Sequence, residues 1–337
     1  MELTRRRLLL AGGGGLAALG TGRAAYNTVL GYDRYTGTNL QIQDLDAVVR
    51  ESLQPARTSI ETDDAAVHHD GWTVEIRNEG TVTQRLETGG EHGHAPRELA
   101  RSEGLPPDRF AALLEDLDAL HAGTERFEYG DYEWFFETLA KADRRAGASP
   151  RPDVVEALRG RLTADPATVE AVVGVDPADP LALLEGLVDA FREHSSYDIP
   201  RYAAGSVQDN VIFGAHDLRQ YFESPADFEA LAAGENTGMF CTELTRRSME
   251  ALHAVPAIDQ TAPVGTAYVS DRRHKHAYTM IYGAYRSAGD GALVIPVTFV
   301  DYTYSTLYDD LRLTGVLGEG LDAWDDRHRA DRIYWIR

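Results

Sequence analysis

Between Leu181 and Asp301 the hydrophobic pattern changes period once, and that change limits the fold more than any other feature. Before Pro256, apolar residues recur at three- and four-residue spacing. Leu184, Leu187, Val188 and Phe191 form one such stripe; Leu244, Ala251, Leu252 and Val255 form another, with Ser248 in the same spacing. This is the pattern of a helix with one buried face. Beyond Pro256 the pattern becomes extended: Ala257–Ile258, Thr266–Val269, His276–Tyr285 and Ala292–Val300 read as strands, with 286–291 as a turn. Helices followed by a block of strands define an α+β chain, a helix packed on an antiparallel sheet.

Upstream, the signals are mainly helical. Phe110, Leu113, Leu114, Leu117 and Leu120 keep helical spacing within a helical stretch running from Pro107 to about Arg145. Glu133–Ala142 and Val154–Leu162 read as further helices, and the periodicity near Leu45–Leu53 is weakly helical. One β-hairpin is expected at about 72–86, because alternating Trp72–Arg77 and Thr81–Leu86 flank Asn78-Glu79-Gly80. Breaks at 147–152 and at Asp176–Pro180 divide the chain into an N-terminal region, 26–180, and a second part, 181–337. Ser195-Ser196-Tyr197-Asp198 ends the Leu181–His194 helix, a polar stretch then runs to Ser224, and a short helix follows over Pro225–Ala233.

The chain has a single cysteine, so no internal disulfide holds it together. Cys241 stands where a loop containing Gly234 and Gly238 gives way to helical spacing, which puts it in the first turn of a buried helix. Free amide N–H groups and the helix dipole favour a thiolate there and supply donors for an oxyanion. His276 opens the third expected strand and Asp301 ends the fourth. If those strands pair antiparallel, the start of one lies beside the end of the other, bringing the two side chains together. The roles follow from chemistry: Cys241 attacks a carbonyl, His276 carries the proton, and Asp301 orients the imidazole. His274 shares the strand face of His276 and is the competing proton carrier. Cys241 and Asp301 also have structural explanations, as a core thiol and a strand-end turn residue.

Gly238 and Cys241, then Val255-Pro256-Ala257, His276-Ala277-Tyr278 and Asp301-Tyr302-Thr303, occur in the order that marks one family. The segment from about 181 to 305 resembles the transglutaminase-like (transglutaminase core) superfamily, whose fold is related to papain-like cysteine proteases. The resemblance implies a papain-like core with Cys241, His276 and Asp301 as its triad. It also implies oxyanion donors at the Cys241 backbone and on an upstream side chain, for which Asn236 is the candidate. Tyr278 replaces the usual Trp, Tyr302 replaces a frequent Pro, and Met239 and Phe240 separate the Gly from the Cys. The implied activity is acyl transfer or hydrolysis at amide bonds of a peptide or protein substrate, without a cofactor. Peptidase-like hydrolysis comes first, and cross-linking of glutamine side chains is an alternative. A non-catalytic surface binding or assembly module on the same fold is the rival from another class.

Composition narrows the partners. Acidic residues outnumber basic ones 54 to 33, a net charge of −21, which disfavours nucleic acid and anionic membrane surfaces. Lys is rare beside Arg, and the acids are spread along the chain, as in halophilic surfaces; a local acidic patch for a basic partner is the other reading. Residues 1–25 read as a twin-arginine export signal: Thr4-Arg5-Arg6-Arg7 leads into a short run rich in Leu, Ala and Gly. That places the protein outside the cytoplasm or at the cell surface, attached to a membrane only if the segment stays uncleaved. A cytosolic protein with a basic N-terminus is the alternative. His68-His69 and the pair His92 and His94 bracket the hairpin as solvated loop histidines, and no metal site is assigned to them.

Overall fold

The turn at Asn78-Glu79-Gly80-Thr81 has its two central residues in the left-handed region, Glu79 at φ 48° and Gly80 at φ 79°, as a tight hairpin between twisted strands requires. The computed structural model describes residues 56–70, 72–89, 95–146, 152–210, 212, 215–222, 227–234, 237–271, 276–303, 317–319 and 332–334. The export signal, the 45–53 periodicity, Asn236, His274, His92 and His94 lie outside the described residues. The hairpin belongs to a four-stranded antiparallel meander, β1 (Ala56–Glu61), β2 (Ala65–His69), β3 (Thr73–Asn78) and β4 (Thr81–Glu87), paired in chain order.

Helices α1 (Pro96–Ser102) and α2 (Pro107–Ala122) follow, and Gly123 at φ 67° ends α2. Next comes β5 (Glu125–Tyr129), inside the stretch read from sequence as helical. Helices α3 (Tyr132–Ala146), α4 (Pro152–Leu158), α5 (Pro166–Val173) and α6 (Pro180–His194) come after it. Asp179 caps α6 by accepting the Ala182 N–H at 3.2 Å. The polar stretch beyond α6 is structured: β6 (Ser195–Tyr197) leads into α7 (Ile199–Asn210), and α8 (Phe228–Ala232) follows. Then come β7 (Thr237–Met239) and α9 (Cys241–Leu252). The expected strand at Ala257–Ile258 is a 3-10 turn, Ala257–Asp259; Pro256 fixes φ at its entry and cannot donate to a strand ladder. Strands β8 (Gly265–Asp271), β9 (His276–Tyr282), β10 (Tyr285–Arg286), β11 (Leu293–Val300), β12 (Leu317–Glu319) and β13 (Arg332–Tyr334) complete the described chain.

The fold is α+β, with an antiparallel framework. β13, β8, β9 and β11 lie side by side, and β10 continues along the β9 edge of β11. The other edge of β11 is taken by β5, the parallel partner of Leu293–Val297, and by β12. Every residue of β11 is buried, because both faces are covered. Tyr278, Met280, Tyr282, Ile295, Val297 and Phe299 pack into one core with residues of β1–β3, α1, α2 and α4. Ile281 and Val300 point the other way, into a core built from α3, α5, α6, α8 and α9. The helix carrying Cys241 thus packs on the second face, where the Ser248 and Thr279 hydroxyls pair at 2.6 Å.

Candidate active site

Cys241 is the first residue of α9 and is 6% exposed. Its approach is held by a parallel pairing of β7 with β6, prolonged where the Asp198 N–H donates to the Met239 carbonyl at 3.1 Å. Gly238 is required at this contact. A Cβ there would lie 2.9 Å from both Cβ and Oδ2 of Asp198. Phe240 is the N-cap, and its N–H donates to the Glu243 carboxylate at 2.9 Å, the reciprocal half of a capping box. Glu243 also takes the Arg201 guanidinium at 2.6 Å. The N–H of Cys241, in the first turn, has no intrahelical acceptor and sits at the positive end of the helix dipole.

His276 and Asp301 meet because β9 and β11 pair antiparallel, with Val300 opposite Thr279. The chain leaving β11 therefore runs beside the start of β9. Nε2 of His276 lies 2.9 Å from Oδ2 of Asp301. The other carboxylate oxygen accepts the Thr303 N–H at 2.9 Å. Tyr302 anchors this corner to α6: its hydroxyl donates to the Leu184 carbonyl at 3.3 Å, and its ring meets Phe191 edge-on. Asp301 is 1% exposed, and the His276 side chain 10%.

Burial works against the charged imidazole of His276. The Asp301 charge and hydrogen bond, followed by the hydrogen bond and charge of Cys241, outweigh it and hold the group well above its ordinary value. The Cys241 thiol is thus one of the groups that act on the ring, and with Nε2 turned to Asp301 the nitrogen left for it is Nδ1. An imidazolium poised beside a thiol at a helix N-terminus is an arrangement that can deliver a thiolate nucleophile and a proton donor together.

Of the residues read from sequence, Cys241, His276 and Asp301 are brought together. The Cys241 backbone lies in the first turn of α9, and Asn236 is not described. His68 and His69 are not loop residues. They lie in β2, and the alternation of Ala65, Val67 and His69 turns His69 into the core at 3% exposure. Among the described residues no group of His, Cys, Asp and Glu is arranged to hold a metal.

Sequence reasoning missed Tyr268 on β8. Its hydroxyl pairs with the Thr242 side chain, and burial, with the nearby Cys241, raises its ionisation range. It also missed Arg201, hidden in a segment read as a polar loop. The helical spacing of Arg201, Ala204 and Gln208 behind the capping residue Asp198 was the available signal. No family model matches this chain, nor does any curated protein or solved structure.

Proposed function

We propose that this chain is a thiol-dependent acyl-transfer enzyme of the transglutaminase-like, papain-related type, acting on amide bonds of peptides or proteins. One observation carries the reading: the 2.9 Å His276–Asp301 pair sits beside a cysteine that opens a helix. In this reaction Sγ of Cys241 attacks the carbonyl carbon, and the developing oxyanion is drawn to the Cys241 N–H. Protonated His276 gives its Nδ1 proton to the leaving amine as the C–N bond breaks, leaving an acyl-enzyme. Water, or a second amine, then gives a proton to His276 and attacks the thioester, which releases the thiolate. Asp301 keeps the ring oriented throughout. Hydrolysis is the favoured outcome and cross-linking the alternative. The twin-arginine pattern supports export, with this work done outside the cytoplasm.

The low exposure of Cys241, 6%, favours a second reading, a binding or assembly module in which the thiol is a core residue. Two measurements separate them. Mature protein is labelled with iodoacetamide across pH 4–9 at low and high salt, and amine release is followed from peptide and casein substrates. The enzyme reading expects Cys241 to label in the folded protein below pH 7, and Cys241→Ala to abolish turnover while keeping the fold. Labelling only near pH 8.5, or only on unfolding, would leave the binding module as the function.

A further inference from the structure

We infer that Arg201 is a positioning residue for the Cys241 nucleophile, acting through Glu243; the inference rests on the proposed role of Cys241. Glu243 lies two residues beyond Cys241 in the first turn of α9, and a free carboxylate there would oppose a thiolate. It is not free. One carboxylate oxygen takes Nη2 of Arg201 at 2.6 Å, and the other takes the Phe240 N–H at 2.9 Å. The Arg201 and Glu243 side chains are only 13% and 19% exposed, so solvent screens the pair weakly.

The guanidinium also lies 4.4 Å over the Phe240 ring, and a flat cation suits both contacts where an ammonium would not. The backbone N–H of Arg201 is fixed by Asp198 at 2.9 Å, and Asp198 is bonded in turn to Met239. Nε of Arg201 is buried without an acceptor. Leaving a buried donor unpaired is unfavourable, so the placement of this side chain answers to Glu243 and Phe240 rather than to its own satisfaction. Arg201 thus neutralises the carboxylate in the first turn of the nucleophile's own helix and clamps the peptide that precedes it.

The other charged or titratable groups around Cys241 are His276 with Asp301 on the sheet side, Tyr268 on β8, Asp198 against Gly238, and Arg246 on α9. Arg246 is exposed and acts on Tyr268; it makes no bond to Glu243 that replaces Arg201.

The test is iodoacetamide alkylation of Cys241 in the full chain across pH 4–9, with folding checked by circular dichroism. Arg201→Met should move the alkylation midpoint up by about half a pH unit or more. Glu243→Gln should move it down, the double variant should return close to the wild type, and Arg201→Lys should fall between wild type and Arg201→Met. A merely structural role would slow labelling in both single variants at every pH without opposite shifts, and that result overturns the inference. If Arg201→Met does not fold, the downward shift of Glu243→Gln and the partial shift of Arg201→Lys are the required results, and their absence overturns it. A wild-type midpoint near that of a free thiol would remove the role of Cys241 and the inference with it. A low wild-type midpoint that Arg201→Met leaves unchanged would remove only the inference.

Discussion

Asp301→Asn is the sharpest perturbation of the site, because both oxygens of Asp301 are already committed. Oδ1 accepts the Thr303 N–H and Oδ2 faces Nε2 of His276, each at 2.9 Å. An amide has one acceptor oxygen and one donor nitrogen. Keeping the oxygen on Thr303 turns the NH2 group toward Nε2, which must then be unprotonated. The remaining ring proton moves to Nδ1, the nitrogen on the Cys241 side, and the imidazole can no longer take the thiol proton. The doubly protonated ring is disfavoured as well, since the carboxylate beside it is gone. An opposite charge at this range is worth about 1–3 pKa units, or about 1.4–4 kcal/mol. The alkylation profile of Cys241 should therefore move toward that of a free thiol by about 1–3 pH units, and turnover should fall on the order of 10³-fold or more. Stability gives an independent readout. The folded-state pKa of His276 lies above its unfolded value, so the pair's contribution is complete below about pH 6.5 and fades as pH rises through the folded value. The gap in Tm between wild type and variant should be widest near pH 6 and narrow at alkaline pH. A folded Asp301→Asn protein with the wild-type alkylation profile would falsify the argument.

Three further perturbations probe other parts of the framework. Burial lowers the pKa of His69 to about 4, so the folded state resists a proton that the unfolded chain accepts; stability should fall by roughly 3 kcal/mol between pH 6.5 and 4. His69→Leu should flatten the dependence of Tm on pH in that window, and an unchanged slope would rule His69 out as its source. The buried guanidinium of Arg159 spans the Val255 and Val264 carbonyls, Gln260 and Glu156; Arg159→Met should cost about 3–5 kcal/mol in urea unfolding, and a loss below about 1 kcal/mol would contradict its role as a clamp. Gly238→Ala pushes a methyl against Asp198, which should cost about 1–3 kcal/mol and slow alkylation of folded Cys241, while labelling of the unfolded chain stays as it was.

What the sequence revealed divides along physical lines. The Cys241 helix and the His276 and Leu293 strands were legible because each has a strong local period and a clear stop, Pro256 in one case and the 286–291 turn in another. The β3–β4 hairpin was legible for the same reason, through Glu79-Gly80. β5 was not, because Phe127 and Tyr129 sit between helical stripes and their strand geometry comes from pairing with Leu293–Val297, more than 160 residues away in the sequence. Such a parallel pairing leaves no turn signature. α7 was hidden by its polar composition, and it carries Arg201. Its start is capped by Asp198, and Arg201 docks it against Glu243. His69 looked like half of a polar pair, but strand alternation places it inside.

These same non-local contacts explain why the geometry of the candidate site cannot be understood from 181 onward alone. The His276–Asp301 bond depends on the register of β9 against β11, and β11 is held from its other edge by β5, which lies in the first half of the sequence. The face of the sheet carrying Tyr278 and Phe299, neighbours of His276 and Asp301 along their strands, is covered by β1–β3, α1, α2 and α4. Without that cover Tyr278, Met280, Tyr282 and Phe299 would be exposed to water, at about 1.5–3 kcal/mol for each large apolar side chain. A one-residue slip of β9 would then reverse which residues face the helix, breaking the Ser248–Thr279 contact and separating His276 from Asp301 together. The N-terminal half therefore contributes to the candidate site as the element that fixes register, although Cys241, His276 and Asp301 all lie beyond it.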